Sequence, residues 1–250
     1  MKIVTLNLKK GYKPFKLIIK SLVFVLIISL VCQISINAYF NSDSYEDVII
    51  TTSEKRTVII DAGHGGEDCG AIGVNGIYEK DLNLSLANEL GKILSENGFA
   101  VVYTRSDDAL LYTKEEDVHG IRKISDLKNR CKIAAEYPNA IFISIHMNSY
   151  KSPECHGAQV YFSSKNSNSY KMASCIQGNI KSHLQTDNER VIKEGKSIYL
   201  LQNIENPAIL IECGFLTNPA ECEKLIEKEY QKELSFAIFY GIIDYMKNAA

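Results

Sequence analysis

From position 57 onward, short apolar runs alternate with longer segments of helical spacing. Val58-Ile59-Ile60 runs into Asp61-Ala62-Gly63, which predicts a buried strand feeding a loop. Leu82, Leu86, Leu90, Ile93 and Leu94 share one face of a helix over 81–97, and Asn97-Gly98 stops it. Phe99 to Thr104 predicts a second strand. Ser106 to Lys123 is polar and reads as a long surface loop, after which Ser125 caps a helix running to about Glu136. Ile141 to Ile145 predicts a third buried strand, Gly157 to Phe162 another, and Ser167 to Leu184 a helix. Ser197 to Leu201 reads as a short strand and Ala208 to Ile211 as the last one. Asn218-Pro219 opens a helix, with asparagine as cap and proline in the first turn. A final amphipathic helix covers Gln231 to Lys247. Strands separated by helices predict an α/β sandwich with a mostly parallel sheet.

The first 56 residues follow another pattern. Lys2, Lys9, Lys10, Lys13, Lys16 and Lys20 make the start strongly basic, and Ser21 to Phe40 then carries no charge. As a helix these twenty residues span ~30 Å, about one hydrocarbon core. With lysines before the run and Asp43 and Glu46 after it, the positive-inside rule keeps the N-terminus cytoplasmic and exports the rest. The leading reading is a retained anchor over 1–40, a polar linker over 41–56 and a catalytic domain over 57–250. Two alternatives stay open. One is a signal peptide cleaved near Asn37-Ala38-Tyr39. The other is a lipoprotein signal ending at Cys32, although Val31 stands where a small residue is expected.

Charge and cysteine content narrow the function. Beyond the basic start, 22 basic residues face 30 acidic ones. An acidic domain without a basic stripe argues against a nucleic-acid ligand. None of the seven cysteines forms a C-x-x-C pair, so a zinc ribbon is not indicated; most read as small buried hydrophobes.

The chemistry gathers at strand ends. The first strand ends at Asp61-Ala62-Gly63-His64-Gly65-Gly66, the third at Ser144-Ile145-His146-Met147-Asn148, and the last at Ile211-Glu212-Cys213-Gly214-Phe215. Open parallel sheets bind ligands outside the carboxyl ends of their strands, so His64, His146 and Glu212 are expected to converge. Glu79 is expected nearby, in the loop before the first helix. Two histidines and a carboxylate form a donor set for catalytic zinc, with water as the fourth ligand. A second glutamate is then needed to take the proton from that water and pass it to the leaving amine. Each residue alone is more often structural, but imidazole and carboxylate groups at three buried strand ends are costly to leave unpaired.

Six segments carry a resemblance: VIIDAGHGGEDCGAIG (58–73), YEKDLNLSLANEL (78–90), VVYTRSDD (101–108), AIFISIHMNS (140–149), HGAQVYF (156–162) and PAILIECGFLTNPAE (207–221). In these the chain resembles the type-3 family of zinc-dependent N-acetylmuramoyl-L-alanine amidases, from Thr57 to about Met246. The resemblance implies a three-layer α/β sandwich, with a twisted, mostly parallel six-stranded sheet and helices on both faces. It implies Zn2+ as cofactor, His64, Glu79 and His146 as metal ligands, and Glu212 as the catalytic glutamate. The implied reaction is hydrolysis of the amide between muramic acid and the first L-alanine of a peptidoglycan stem peptide.

The stretch from Ser106 to Lys123, ISDLKNR (124–130) and SIYLLQN (197–203) are more narrowly similar to the CwlD-type amidases of spore formers. That subgroup implies cortex maturation, in which stem-peptide removal precedes muramic-δ-lactam formation. Two departures stand out: Cys69 replaces a usual glycine, and Cys213 follows Glu212, where its thiol is a candidate for oxidation or stray metal donation.

Asn148 and Arg190 are candidate substrate-binding residues. Arg190 and Lys193 form an Arg-x-x-Lys segment that either meets substrate carboxylates or solvates the surface. His119, His183 and His156 read as surface residues, and Arg130 as a structural ion-pair partner. Gly195-Lys196-Ser197 fails as a phosphate loop because Arg190 stands where the first glycine is required. Two other functions compete: a different zinc peptidase or deacetylase of wall polymers, and an inactive wall-binding scaffold. A compact acidic domain without a targeting module also suggests an accessory regulatory protein as partner.

Overall fold

The computed structural model describes residues 55–248, without 75, 114, 119 and 120. The basic stub and anchor (1–40), nearly all of the linker (41–56) and His119 lie outside the described residues. Among the described residues no helix is long and apolar enough to cross a membrane.

Six strands form one sheet in the order β2-β1-β3-β6-β4-β5. They are β1 (Thr57–Ala62), β2 (Ala100–Tyr103), β3 (Ile141–Asn148), β4 (Gln159–Phe162), β5 (Lys193–Glu194) and β6 (Ala208–Phe215). β2, β1, β3 and β6 run parallel; β4 is antiparallel to β6, and β5 follows β4. The helices are α1 (Glu79–Glu96), α2 (Arg122–Glu136), α3 (Ser167–His183), α4 (Tyr199–Asn203), α5 (Pro219–Ile226) and α6 (Lys228–Asn248).

Alternation along the central strands decides the layers. Val58, Ile60, Ile143, Ile145, Ile209 and Ile211 point to one face, where leucines of α1 join α3, α5 and α6 in the larger core. Ile59, Phe142, Ala208 and Leu210 point to the other, against Ala134 of α2 and Leu200 and Leu201 of α4. Strands buried on both faces need continuous apolar runs, as VII, IFISI and AILI supply. The chain leaves β1 through α1 to reach β2, then returns through α2 on the opposite face to reach β3. The strand order therefore reverses at the β1–β3 boundary, and a crevice opens outside their carboxyl ends.

Four local expectations need correction. Ser197 to Leu201 is not a strand: Leu200 and Leu201 are adjacent and both buried in helix α4, and the edge strand is Lys193–Glu194. A short apolar run does not distinguish the two by periodicity. Ser125 is not a cap but a buried residue inside α2, its amide donating to Ile121 O. Glu79 is not in a loop but opens α1, and α6 begins at Lys228.

Candidate active site and metal centre

His64 follows β1 in a loop whose geometry is unusual. Its own φ is +62°, a left-handed value that a non-glycine residue holds only when its surroundings impose it. Two glycines make room around it. A Cβ on Gly63 would stand 2.1 Å from His146 Nε2, and one on Gly70 (φ +67°) 2.5 Å from Glu79 Oε2. A side chain at either position would have to displace a member of the cluster, and at Gly70 it would also strain the backbone.

His146 lies on β3 beside Glu212 of β6 in the strand register, so both side chains leave the same face. Glu79 reaches them from the first turn of α1. Its Oε1 is 3.2 Å from His64 Nε2 and 2.9 Å from His146 Nδ1, and it accepts from the Met147 amide at 3.1 Å. Its Oε2 accepts from the Ala71 amide at 2.8 Å. The other nitrogen of His64, Nδ1, sits 2.9 Å from Asp68 Oδ2. One donor atom from each of His64, Glu79 and His146 lies within 4.8 Å of the others.

The electrostatics of the cluster are uneven. Burial opposes ionisation of Glu79, but both imidazoles outweigh it and hold the carboxyl far below the ordinary range. Burial likewise disfavours charge on His64, yet hydrogen bonds to Asp68 and Glu79 raise its pKa to about 9. Glu212 goes the other way: burial raises its carboxyl above the ordinary value. Its Oε2 is buried with no hydrogen-bond partner among the described residues. Two imidazoles, one carboxylate and an unpartnered carboxylate oxygen beside them fit the donor chemistry of a catalytic zinc site.

A buried polar frame surrounds the His64 loop. Asp61, fully buried, accepts from Arg130 Nη1 (2.6 Å), Thr104 Oγ1 (2.7 Å) and Ser144 Oγ (2.5 Å). Arg130 also donates to Asp126, Ala62 O and His64 O, each at 2.8 Å. Arg130 is thus the structural ion-pair partner expected. Asp61, Asp68 and Arg105 were missed: Asp61 pairs with side chains from three separate segments and Arg105 with backbone carbonyls, neither of which leaves a periodic trace, and only the i,i+4 spacing of Asp68 from His64 hinted at one of them.

These arrangements point to metal-assisted hydrolysis, and comparison with known proteins names the bond. A family model described as N-acetylmuramoyl-L-alanine amidase matches residues 58–244. The chain belongs to the N-acetylmuramoyl-L-alanine amidase family. The amidase is 35% identical to the germination-specific N-acetylmuramoyl-L-alanine amidase of Bacillus subtilis, over 83% of this chain and 86% of that protein. It superposes with TM-score 0.74 on the CwlD amidase of Clostridioides difficile, solved in complex with the GerS lipoprotein, at 35% identity and covering 77% and 99% of the two chains. The catalytic domain of CwlV from Bacillus (Paenibacillus) polymyxa var. colistinus gives TM-score 0.63 at 30% identity, over 77% and 98%. Members of the family are peptidoglycan hydrolases, and the enzyme class follows.

The remaining candidates sit at varied distances from the chemistry. Arg190 donates to His156 O (2.8 Å) and to Gln159 Oε1 (3.0 Å), and its guanidinium lies 4.5 Å from the Phe215 ring centre. Gln159 is the register partner of Glu212, so Arg190 borders the site. Asn148 instead turns its Oδ1 onto the Ser149 amide. Lys193 is exposed on the edge strand β5, and His156 and His183 are exposed outside the cluster. Cys213 packs fully buried with Ile209 and Ile211, on the sheet face opposite Glu212, where burial pushes its thiol well up. Cys69 turns its Sγ to Gly70 O.

Proposed function

We propose that this amidase is zinc-dependent, with His64, Glu79 and His146 as ligands and Glu212 as the group that moves the proton. The observation carrying this reading is the meeting of two imidazoles and a carboxylate from three chain segments next to the unpartnered Oε2 of Glu212. Bound zinc would supply a Lewis acid and a water of lowered pKa. Glu212 accepts a proton from the attacking water, whose oxygen joins the lactyl carbonyl carbon. It returns that proton to the L-alanine nitrogen as the carbon–nitrogen bond breaks, and the acid proton of the new carboxyl passes to the amine, leaving a lactyl carboxylate and an ammonium group. A carboxyl raised by burial suits both transfers. Arg190 offers its Nη2 to a stem-peptide carboxylate, and Asn148 lines the same edge.

Mass spectrometry of digested peptidoglycan tests the bond: stem peptides with a free N-terminal L-alanine support it, whereas cuts within the peptide or loss of acetyl groups refute it. Glu212→Gln should retain zinc and lose most turnover.

The proposed setting is extracytoplasmic, in spore-cortex maturation, supported by likeness to the germination-specific and CwlD amidases. Muropeptide analysis of cortex from cells lacking the protein tests it; unchanged muramic-δ-lactam would remove this role while leaving the amidase activity intact. The uncharged run at 21–40 is the proposed membrane anchor. An accessory protein is the proposed partner, since the similar CwlD was solved with a lipoprotein.

A further inference from the structure

Three consecutive backbone carbonyls, those of Ala62, Gly63 and His64, face two buried guanidinium groups. Arg105 donates to Ala62 O through Nε (2.8 Å) and to Gly63 O through Nη2 (3.0 Å). The same Nη2 donates to Lys80 O (2.8 Å), in the first turn of α1 next to Glu79, and Nη1 donates to Asp107 O (2.9 Å). Arg130 takes Ala62 O and His64 O on the other side and is anchored by Asp61 and Asp126. Asp61 in turn accepts from Ser144, two residues before His146 on β3. Both arginines are almost wholly buried, at 3% and 1% exposure.

We infer that Arg105, joined through Ala62 O to the Arg130–Asp61–Ser144 network, is a positioning residue that holds the three zinc-binding segments in one register. The inference rests on reading His64, Glu79 and His146 as zinc ligands. Arg105 is the member that bridges two donor-bearing segments directly: the His64 loop and the Glu79 turn. The guanidinium fork suits this task because its rigid donors satisfy several fixed acceptors at once. A lysine keeps the charge but offers one compact ammonium, which cannot span Ala62 O, Gly63 O, Lys80 O and Asp107 O together. The left-handed φ of His64, followed by positive φ at Gly65 (+144°) and Gly66 (+53°), makes such clamping necessary.

The test is the zinc affinity of Arg105→Lys, measured by competition with a chromophoric chelator on the folded protein, with the melting temperature of the metal-free form recorded beside it. Loss of an outer partner of a metal ligand lowers affinity about 10–100-fold, and that is the drop expected. Ile242→Val, in the remote core of α6, provides a control that loses stability without touching the frame. An affinity equal to wild type in Arg105→Lys overturns the inference, as does a fall that the core control reproduces. If Arg105→Lys does not fold, Ser144→Ala, which removes only the hydroxyl linking β3 to Asp61, must weaken zinc binding; unchanged binding there overturns it too. A zinc affinity of His146→Ala equal to that of the wild type would instead refute the ligand assignment beneath it.

Discussion

Gly63→Ala separates folding from function. Gly63 has no positive φ, so alanine meets no backbone objection there. The obstacle is one contact: the new Cβ would lie 2.1 Å from His146 Nε2, and an ordinary contact begins near 3.4 Å, so the ring must retreat by about 1.3 Å. The clash is with a side-chain ring at the crevice rather than with backbone, so the variant should still fold, at a cost of about 1–3 kcal/mol as for other overpacked sites. The same movement breaks its 2.9 Å approach to Glu79 and spoils the donor triangle. A misplacement of about 1 Å at reacting groups costs ~100-fold in rate. Chelator competition, turnover on purified peptidoglycan and denaturant unfolding together read the three quantities. Gly178→Ala, whose Cβ would meet nothing within 4 Å in α3, should change neither zinc affinity nor turnover. A Gly63→Ala enzyme with wild-type turnover and zinc affinity would refute the geometry.

Three further expectations rest on single groups. Glu212 must be ionised to accept a proton and burial raises its carboxyl, so activity should fall as pH drops through a value above the ordinary 4.5; a limb at or below that value contradicts the assignment. Burial works against ionised Asp61, but Arg130, Ser144 and Thr104 lower its folded pKa, so its contribution to stability is present above the ordinary 3.8 and is lost as pH falls through the lower folded value. Asp61→Asn should accordingly cost about 3–5 kcal/mol in urea unfolding at neutral pH, because it leaves Arg130 buried against a neutral amide, and a cost near zero would argue against the frame. Cys213, wholly buried with a raised thiol, should resist thiol reagents in the native protein, and rapid labelling before unfolding would contradict its placement.

The order of strands and helices was legible because strands buried on both faces demand continuous apolar runs, and VII, IFISI and AILI stand out against the heptad-like leucines of α1. The convergence of His64, His146 and Glu212 followed from the rule that parallel strands present ligands at their carboxyl ends. Glu79 was expected near the site but placed in a loop, since the first residue of a helix carries no periodic signal. SIYLL misled because two adjacent buried leucines suit a short helix as well as a strand. The division of roles between Glu79 and Glu212 came from family resemblance; spacing alone does not rank the two. The arginine frame stayed hidden because most of its acceptors are backbone carbonyls, which every residue possesses, and its carboxylates Asp61 and Asp126 lie on separate elements.

The most direct test is the turnover of enzyme stripped of metal by a chelator and titrated with zinc. The account predicts no stem-peptide release from the stripped wild type, recovery that saturates near one zinc per chain, and no recovery for His146→Ala. Full activity in the metal-free wild type would contradict it.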